Sequence, residues 1–557
     1  MARFAALVTI MAMTNLSYSH GVGSTPLLGE TIGTNLRRTV DKYGTREALV
    51  VRSQNYRATY DELWNAVSRA ARALVALGLQ KGHRVGIWAP NRYEWVILQY
   101  ASARLGAILV NINPSYKAVE LEYALNQAGV RVLFLAQGFR QTAYMPIVDE
   151  VRDRCPDLER TLVFEDEWER FNQMSYAVAE SDVAKREADL QFDDAINIQY
   201  TSGTTGFPKG ATLSHHNILN NAYFVGLLLR YTEHDRVCIP VPFYHCFGMV
   251  LGNLACTSHG ACMVVPAEAY DPLAVLETIQ AERCTSLYGV PTMFIAELDH
   301  PRFGEFDLAS LRTGVMAGAP CPIELMHQVV TRMHMPEIAI GYGMTETSPI
   351  STQSAWDDSL ARRVSTVGRV HPHVEIKIID AAGAVAPRGM AGELCTRGYS
   401  VMIGYWNDPA ATKASIDSAG WMHSGDLAVL DEAGYVNIVG RIKDMIIRGG
   451  ENVSPREIEE FLHTHPAVSE AQVIGVPSAK YGEEVMAWIK ARPGAALTEA
   501  DLCSFCKDRI AKFKVPRYWK LVTEFPMTVT GKVQKFRMRE EAIRELGLAA
   551  VAEIKTA

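Results

Sequence analysis

Residues 83–114, HRVGIWAPNRYEWVILQYASARLGAILVNINP, place a helical period between two short apolar runs, and few folds accept that order. The runs at 85–89 and 107–112 are apolar at nearly every position, so each strand is buried on both faces. The segment 93–105 carries apolar residues at helical spacing. Two such strands joined by a helix cannot form a hairpin; they lie parallel, with the helix crossing over one face of the sheet. VRVLFLA at 130–136 reads as another buried strand, and AINIQYTSG at 195–203 as one more. The chain is therefore expected to be α/β, built on parallel sheets covered by helices.

The strand at 195 runs directly into YTSGTTGFPKGATLSHHN, residues 200–217, a stretch that holds seven hydroxyls, three glycines and a lysine. Glycines let successive backbone N–H groups point into one concavity, hydroxyls add donors, and Lys209 supplies countercharge, so the expected guest is phosphate. This is not the common nucleotide-binding P-loop, because Gly210 follows Lys209 where that motif has Ser or Thr. Ser214 is placed to cap the helix that follows. In open α/β sheets ligands sit beyond the carboxyl ends of strands, where this loop falls.

After about residue 365 the pattern changes. VEIKIID alternates strictly, GELCTRG and LAVLDEAGYVNIVGR follow, and residues 431–434 read as a hairpin turn, so a small antiparallel piece is expected. Beyond GRIKDMIIRGGENVSPREIEEF, Ser454, Pro455 and Glu457 read as a capping box with proline at N1. Two strands and a helix capped by Thr498 and Asp501 come next. At 557 residues more than one domain is required. We expect a large domain over 1–442 and a smaller, mobile α+β domain over 443–557, hinged near Lys443.

Net charge is −7 and pI about 6.1, which argues against nucleic acid as a partner. The ten cysteines show no disulfide framework, and the lone Cys503–Cys506 pair reads as helix packing, with reduced thiols fitting a cytoplasmic location. The first residues, MARFAALVTIMAM, leave open a signal-like segment or a start near Met13. No run reaches the length of a membrane span.

Further polar clusters lie on glycine-flanked turns: AGAPCP at 317–322, GYGMTETSP at 341–349, WMHSGDLAVL at 421–430, GRIKD at 440–444 and TVTGKVQKFRMRE at 528–540. With the first loop they occur in the order of the adenylate-forming superfamily of acyl-CoA synthetases, luciferases and adenylation domains, which the chain resembles over nearly its whole length. YTSGTTGFPKGATLSHHN, GELCTRGYSVMIGYW, KDMIIRGGENVSPREIE and HTHPAV are most similar to the acyl-CoA synthetase family member 2 type, a medium-chain fatty-acid ligase.

The resemblance implies a two-step ligase: a carboxylate attacks the α-phosphate of ATP, and coenzyme A then displaces AMP. It implies that Thr201, Ser202, Gly203, Thr204, Thr205, Gly206 and Lys209 cradle the outer phosphates. Thr345 would donate to the α-phosphate and Glu346 would hold Mg²⁺. Gly318, Ala319 and Pro320, with Gly341, Tyr342 and Gly343, would form the adenine slot, Tyr342 being open to a core role instead. Asp426, assisted by Arg441, would take the ribose hydroxyls. Lys532 would reach the reacting carboxylate and α-phosphate, and His245 would lie beside the acyl carboxylate unless it is a satisfied buried histidine. Lys443 matches the hinge, and Gly449 and Gly450 the loop that guides pantetheine. Lys507, Lys512, Lys514, Lys520 and Lys535 crowd near Lys532 as a basic face or as contacts for CoA phosphates.

The expected partners are thus the small molecules fatty acid, ATP and CoA, with neither nucleic acid nor an integral membrane span. Weak membrane association and oligomer formation stay open. The alternatives are a fatty-acyl-AMP ligase that loads a carrier protein, a luciferase-like oxidation of the adenylate, and a catalytically dead nucleotide-binding scaffold. A kinase-like phosphotransferase is disfavoured by the absence of an H-R-D catalytic loop.

Overall fold

A computed structural model describes residues 15–201, 208–319, 321–449, 451–507, 509–528 and 532–552. The chain divides into two compact units, one of Ser19–Ile376 with Cys395–His423, the other holding Lys377–Leu394 and the chain from Ser424 onward.

The first unit contains two large sheets. The seven-stranded one runs, in spatial order, Gly404–Tyr405, Lys209–Ser214, Ala195–Thr201, Ile108–Asn111, Arg84–Trp88, Val130–Leu135 and Arg160–Val163. Its centre is the expected strand–helix–strand unit: Arg84–Trp88 pairs parallel with Ile108–Asn111, and helix Tyr93–Leu105 connects them. That helix is buried on all sides but its first residue, as its nearly uniform apolar sequence requires.

The nine-stranded sheet carries five consecutive parallel pairings, from Glu337–Gly343 through Thr313–Ala317, Ser286–Gly289, Arg236–Cys238 and Cys262–Val265 to Glu47–Val51. Both sheets also carry antiparallel pairings, and in each one of them joins a parallel strand to the strand that follows it in the chain. Ala195–Thr201 is followed by the antiparallel Lys209–Ser214, and Glu337–Gly343 by the antiparallel Ile350–Gln353. Ser214 caps helix His215–Leu228, its hydroxyl accepting the Asn217 N–H while Asn217 reaches back to the Ser214 N–H.

In the second unit, Met422–Leu430 and Val436–Arg441 form the expected hairpin; Asp431 Oδ1 accepts the N–H groups of Ala433 and Tyr435 in its turn. The sheet beyond it orders Glu451–Val453, Ile446–Arg448, Gly482–Ala491 and Val468–Ser478, with Tyr518–Leu521 parallel to Gly482–Ala491. Helices Pro455–His463 and Glu499–Cys506 cover it through Ile458, Leu462, Leu502 and Cys506. Thr498 and Asp501 form the capping box read from the sequence.

The Ser454 box does not form. Pro455 does open the helix, but the Ser454 hydroxyl donates to the Val439 carbonyl at 2.6 Å and Glu457 pairs with Lys514. Cys503 is exposed, Cys506 buried, and all ten cysteines are free.

Candidate active site

Lys209 begins the strand that returns antiparallel to Ala195–Thr201, in register with Thr201. The phosphate-loop residues between them, Ser202, Gly203, Thr204, Thr205 and Gly206, lie outside the described residues, as do Pro320 and Gly450. What the fold shows is the frame of that loop and what stands beside it.

Glu346 stands there. It lies in the short 3-10 turn Thr345–Thr347 that follows strand Glu337–Gly343. Its side chain is buried, with 5% of the residue exposed, and Oε1 accepts two hydrogen bonds, from Thr201 Oγ1 at 3.1 Å and from the Tyr405 phenol at 2.9 Å. Among the described residues Oε2 accepts none. The turn is held from below by the Met402 N–H on the Glu346 carbonyl and by Thr347 Oγ1 donating to the Met344 and Pro349 carbonyls. The Lys209 ammonium lies 5.0 Å from the centre of the Tyr405 ring. Thr201, Lys209, Thr345 and Glu346 are therefore one cluster, though the sequence spreads them over 146 positions from first to last.

The residues expected to form the adenine slot follow the carboxyl ends of two paired parallel strands. Ala317 is in register with Gly341, so Gly318 and Ala319 emerge beside Gly341, Tyr342 and Gly343. Gly318 has φ +88°, a backbone conformation that favours glycine. A Cβ on Gly343 would lie 1.7 Å from the Pro349 carbonyl oxygen, so only glycine lets the chain turn toward Glu346. Tyr342 is partly exposed, so its ring is not sealed in the core.

His245 heads the turn before a buried π-helix, Phe247–Leu254. Its Nδ1 accepts the Phe247 N–H at 3.1 Å, which leaves the proton of a neutral ring on Nε2. The residue is partly exposed. Beneath this turn lies a ladder of buried amides that the sequence reading missed. Asn111 Nδ2 donates to the Tyr244 carbonyl, Asn197 Nδ2 to Asn111 Oδ1, and Gln199 Nε2 to Asn197 Oδ1. Phe243 and Phe247 on either side of His245, and Tyr288 and Met293, belong to the main hydrophobic core.

In the second unit Asp426 and Arg441 face each other across the hairpin, Arg441 Nε to Asp426 Oδ1 at 3.0 Å. Asp426 is 8% exposed, whereas the Arg441 side chain is 56% exposed, so the carboxylate is held by the sheet and the guanidinium by little else. Lys443 follows, its ammonium pulled below its ordinary pKa by partial burial and then by Arg441. Gly449 donates its N–H to the Tyr481 carbonyl. Lys532 is anchored by its backbone, its N–H on Thr528 Oγ1 at 3.0 Å and its carbonyl accepting from the Thr528 N–H. Of its basic neighbours, Lys514 pairs with Glu457, Lys520 with Glu541 and Glu545, and Lys535 with Glu459. Those three are neutralised within the unit and do not make an open basic face.

Residues 36–406 match the AMP-binding enzyme family, and residues 457–532 its C-terminal domain. The chain belongs to this family. Among curated AMP-binding enzymes, YngI of Bacillus subtilis (strain 168) is 46% identical over 545 residues, covering 94% of this chain and 99% of that one. The mitochondrial medium-chain acyl-CoA ligase ACSF2 of Danio rerio is 42% identical over 557 residues, covering 96% and 91%. Among solved structures the anthranilate CoA ligase AuaEII, in complex with anthranoyl-AMP, aligns with a TM-score of 0.85 at 28% identity, over 94% of this chain and 99% of that one. With these relatives the AMP-binding enzyme described here is an AMP-forming acid–thiol ligase of the acyl-CoA synthetase kind. Among its described residues no helix is long and apolar enough to cross a membrane.

Tyr405 is the site residue that motif reading passed over. It stands in GYSVMIGYW, quoted for its resemblance alone, and only the fold brings it to Glu346 and Lys209.

Proposed function

We propose that this AMP-binding enzyme joins a medium-chain fatty acid to coenzyme A using ATP. The carboxylate oxygen attacks the α-phosphorus and pyrophosphate leaves; the CoA sulfur then attacks the acyl carbon and AMP leaves. The observation that carries the reading is Glu346: a buried carboxylate with one oxygen fixed by Thr201 and Tyr405 and the other, among the described residues, without a donor, while the same Tyr405 ring faces the Lys209 cation. A lone carboxylate next to a phosphate-binding lysine suits a hard divalent cation, which favours one or two carboxylates plus phosphate oxygens. Magnesium at Glu346 would supply charge neutralisation on the polyphosphate.

The chain's own residues do the rest. Lys209, Thr201 and the loop Ser202, Gly203, Thr204, Thr205 and Gly206 hold the outer phosphates. Thr345 donates to the α-phosphate. Gly318, Ala319, Pro320, Gly341, Tyr342 and Gly343 receive the adenine, and Asp426 with Arg441 the ribose. His245 orients the acyl carboxylate, and Lys532 stabilises the charge that builds as the new bond forms. The small domain turns about Lys443, exchanging Lys532 for the Gly449–Gly450 loop, which guides pantetheine.

Similarity to ACSF2 supports the medium-chain preference, whereas the aligned AuaEII is a ligase for an aryl acid. ATP–pyrophosphate exchange over acids from acetate to stearate, with anthranilate and benzoate, tests this. Exchange peaking near C8–C10 is expected, and a maximum at an aryl acid would overturn it. Product analysis with CoA and a carrier protein offered together should give acyl-CoA. A cytoplasmic location fits ten free cysteines, although the Danio rerio relative is named as mitochondrial; fractionation decides between them.

A further inference from the structure

Glu346 and Lys209 carry opposite charges in one cluster, yet among the described residues they form no ion pair. A salt bridge would neutralise both groups and spend the lysine's donors. What stands at both is Tyr405. Its backbone is fixed on three sides: it pairs with Ala211 across the sheet edge, its N–H donates to Thr412 Oγ1 at 2.8 Å, and the next residue, Trp406, donates its N–H to the Gly210 carbonyl at 2.7 Å. Strand Gly404–Tyr405 therefore rides on the strand that Lys209 begins. Residues 209 and 211 share one face of that strand, so Lys209 is the diagonal neighbour of Tyr405, within reach of a long side chain. The phenol is buried, with 9% of the residue exposed.

We infer that Tyr405 is a positioning residue for ATP activation: its hydroxyl aims the Glu346 carboxylate at the metal–polyphosphate while its ring face holds the Lys209 ammonium without consuming a single N–H. The hydroxyl donates to Oε1, the oxygen that Thr201 also holds, so the carboxylate is pinned by one oxygen and presents the other. A ring face attracts a cation through its quadrupole, which leaves all three ammonium protons for phosphate oxygens. The inference rests on the assignment of Glu346 and Lys209 under Proposed function.

Two variants of Tyr405 separate the two jobs. Tyr405→Phe removes the hydroxyl and keeps the ring; Tyr405→Leu removes both. The probe is α,β-methylene-ATP, titrated calorimetrically with Mg²⁺ and with EDTA. Wild type should bind more tightly with Mg²⁺. Tyr405→Phe should lose about tenfold of that gain, the scale of one hydrogen bond to a charged group, and keep its metal-free affinity within about twofold. Tyr405→Leu should lose metal-free affinity as well. Thr201→Val, which removes the other donor to Oε1, should also lose part of the magnesium gain, on top of a loss of metal-free affinity because Thr201 holds the outer phosphates as well. In pyrophosphate exchange, Tyr405→Phe should raise the Mg²⁺ concentration for half-activation more than it lowers the saturated rate.

A Tyr405→Phe enzyme with the full magnesium gain, or with equal losses in Mg²⁺ and EDTA, overturns the inference. Glu346→Gln separates the two levels of failure. If it abolishes the gain while Tyr405→Phe keeps it, only the inference falls; if Glu346→Gln itself keeps the gain, the carboxylate assignment falls and takes the inference with it.

Discussion

Lys532→Ala is the perturbation that bears most directly on how one chain runs two reactions. Lys532 is partly exposed and its backbone is tied by Thr528 and by the Met527–Val533 bridge, so truncation should leave the fold intact. Its thermal midpoint should stay within about 2 °C, since such changes cost about 0.5 kcal/mol or less. Of its basic neighbours, Lys514, Lys520 and Lys535 each hold a carboxylate at 2.5–2.7 Å and would have to give up that pair before meeting another anion. Loss of one oriented donor to a developing charge costs about 2.7–4 kcal/mol, or roughly a hundredfold to a thousandfold in rate. That loss should fall on ATP–pyrophosphate exchange alone. Thioester formation from supplied octanoyl-adenylate and CoA should stay within about threefold of wild type if, as proposed, the Gly449–Gly450 loop replaces the lysine in that step. Equal losses in both halves would refute the exchange of faces, and a loss under fivefold in exchange would refute the lysine's role.

Asp426→Asn should raise KM for ATP about tenfold or more with little change in kcat, read from steady-state exchange, because a buried carboxylate accepting from ribose acts in ground and transition states alike; a selective fall in kcat would contradict a ribose role. Gly343→Ala should lower both the melting temperature and adenylation, since its Cβ would lie 1.7 Å from the Pro349 carbonyl and push the Glu346 turn; wild-type exchange in that variant would show the turn free to shift. Glu297 is 1% exposed, and burial holds its carboxyl protonated well above its ordinary 4.5. The folded protein then keeps a proton that the unfolded chain releases, so stability falls as pH rises from about 4.5 toward the folded pKa, by up to ~1.4 kcal/mol per pH unit. Glu297→Gln removes that slope, and its advantage in urea midpoint should widen from about pH 5 to pH 7.5; a gap that closes over this interval would mean that Glu297 is ionised in the fold.

The central sheets could be read from sequence because their signals are local. Residues 84–111 show the switch from buried strand to helical period and back within 28 positions, and the turn at Asp431 carries its own acceptor. Thr498 and Asp501 bond to each other and cap their helix as the local signal reads. Ser454 and Glu457 carry the same local signal and fail, because the Val439 carbonyl lies within reach of that hydroxyl and Lys514 within reach of that carboxylate. The π-helix Phe247–Leu254 is hidden for another reason: a run buried at every position has no face, so its backbone period leaves no mark on the residues. Tyr405 is 59 residues from Glu346, and its position follows only from a two-residue strand at a sheet edge.

The chemistry-bearing residues share a place that explains the composition of their loops. A parallel strand is ordinarily followed by a crossover helix, which carries the chain away from the carboxyl edge of the sheet. Here the two loops richest in glycine and hydroxyls each join a parallel strand to an antiparallel return: Thr201 to Lys209 in one sheet, Gly343 to Ile350 in the other. A return strand keeps both ends of its loop at that edge, so Lys209 is fixed there by strand register and Glu346 by a short turn closed at both ends. The cost is steric crowding, as the Pro349 carbonyl against Gly343 shows, and small residues are what such a turn can hold. The same geometry leaves the new strand, Lys209–Ser214, as an edge needing a partner, and Gly404–Tyr405 fills it. Covering that edge and placing an aromatic hydroxyl against Glu346 are thus one structural act. A substitution that unpairs Ile403–Trp406 from Gly210–Thr212 should therefore disturb Glu346 even with Tyr405 unchanged.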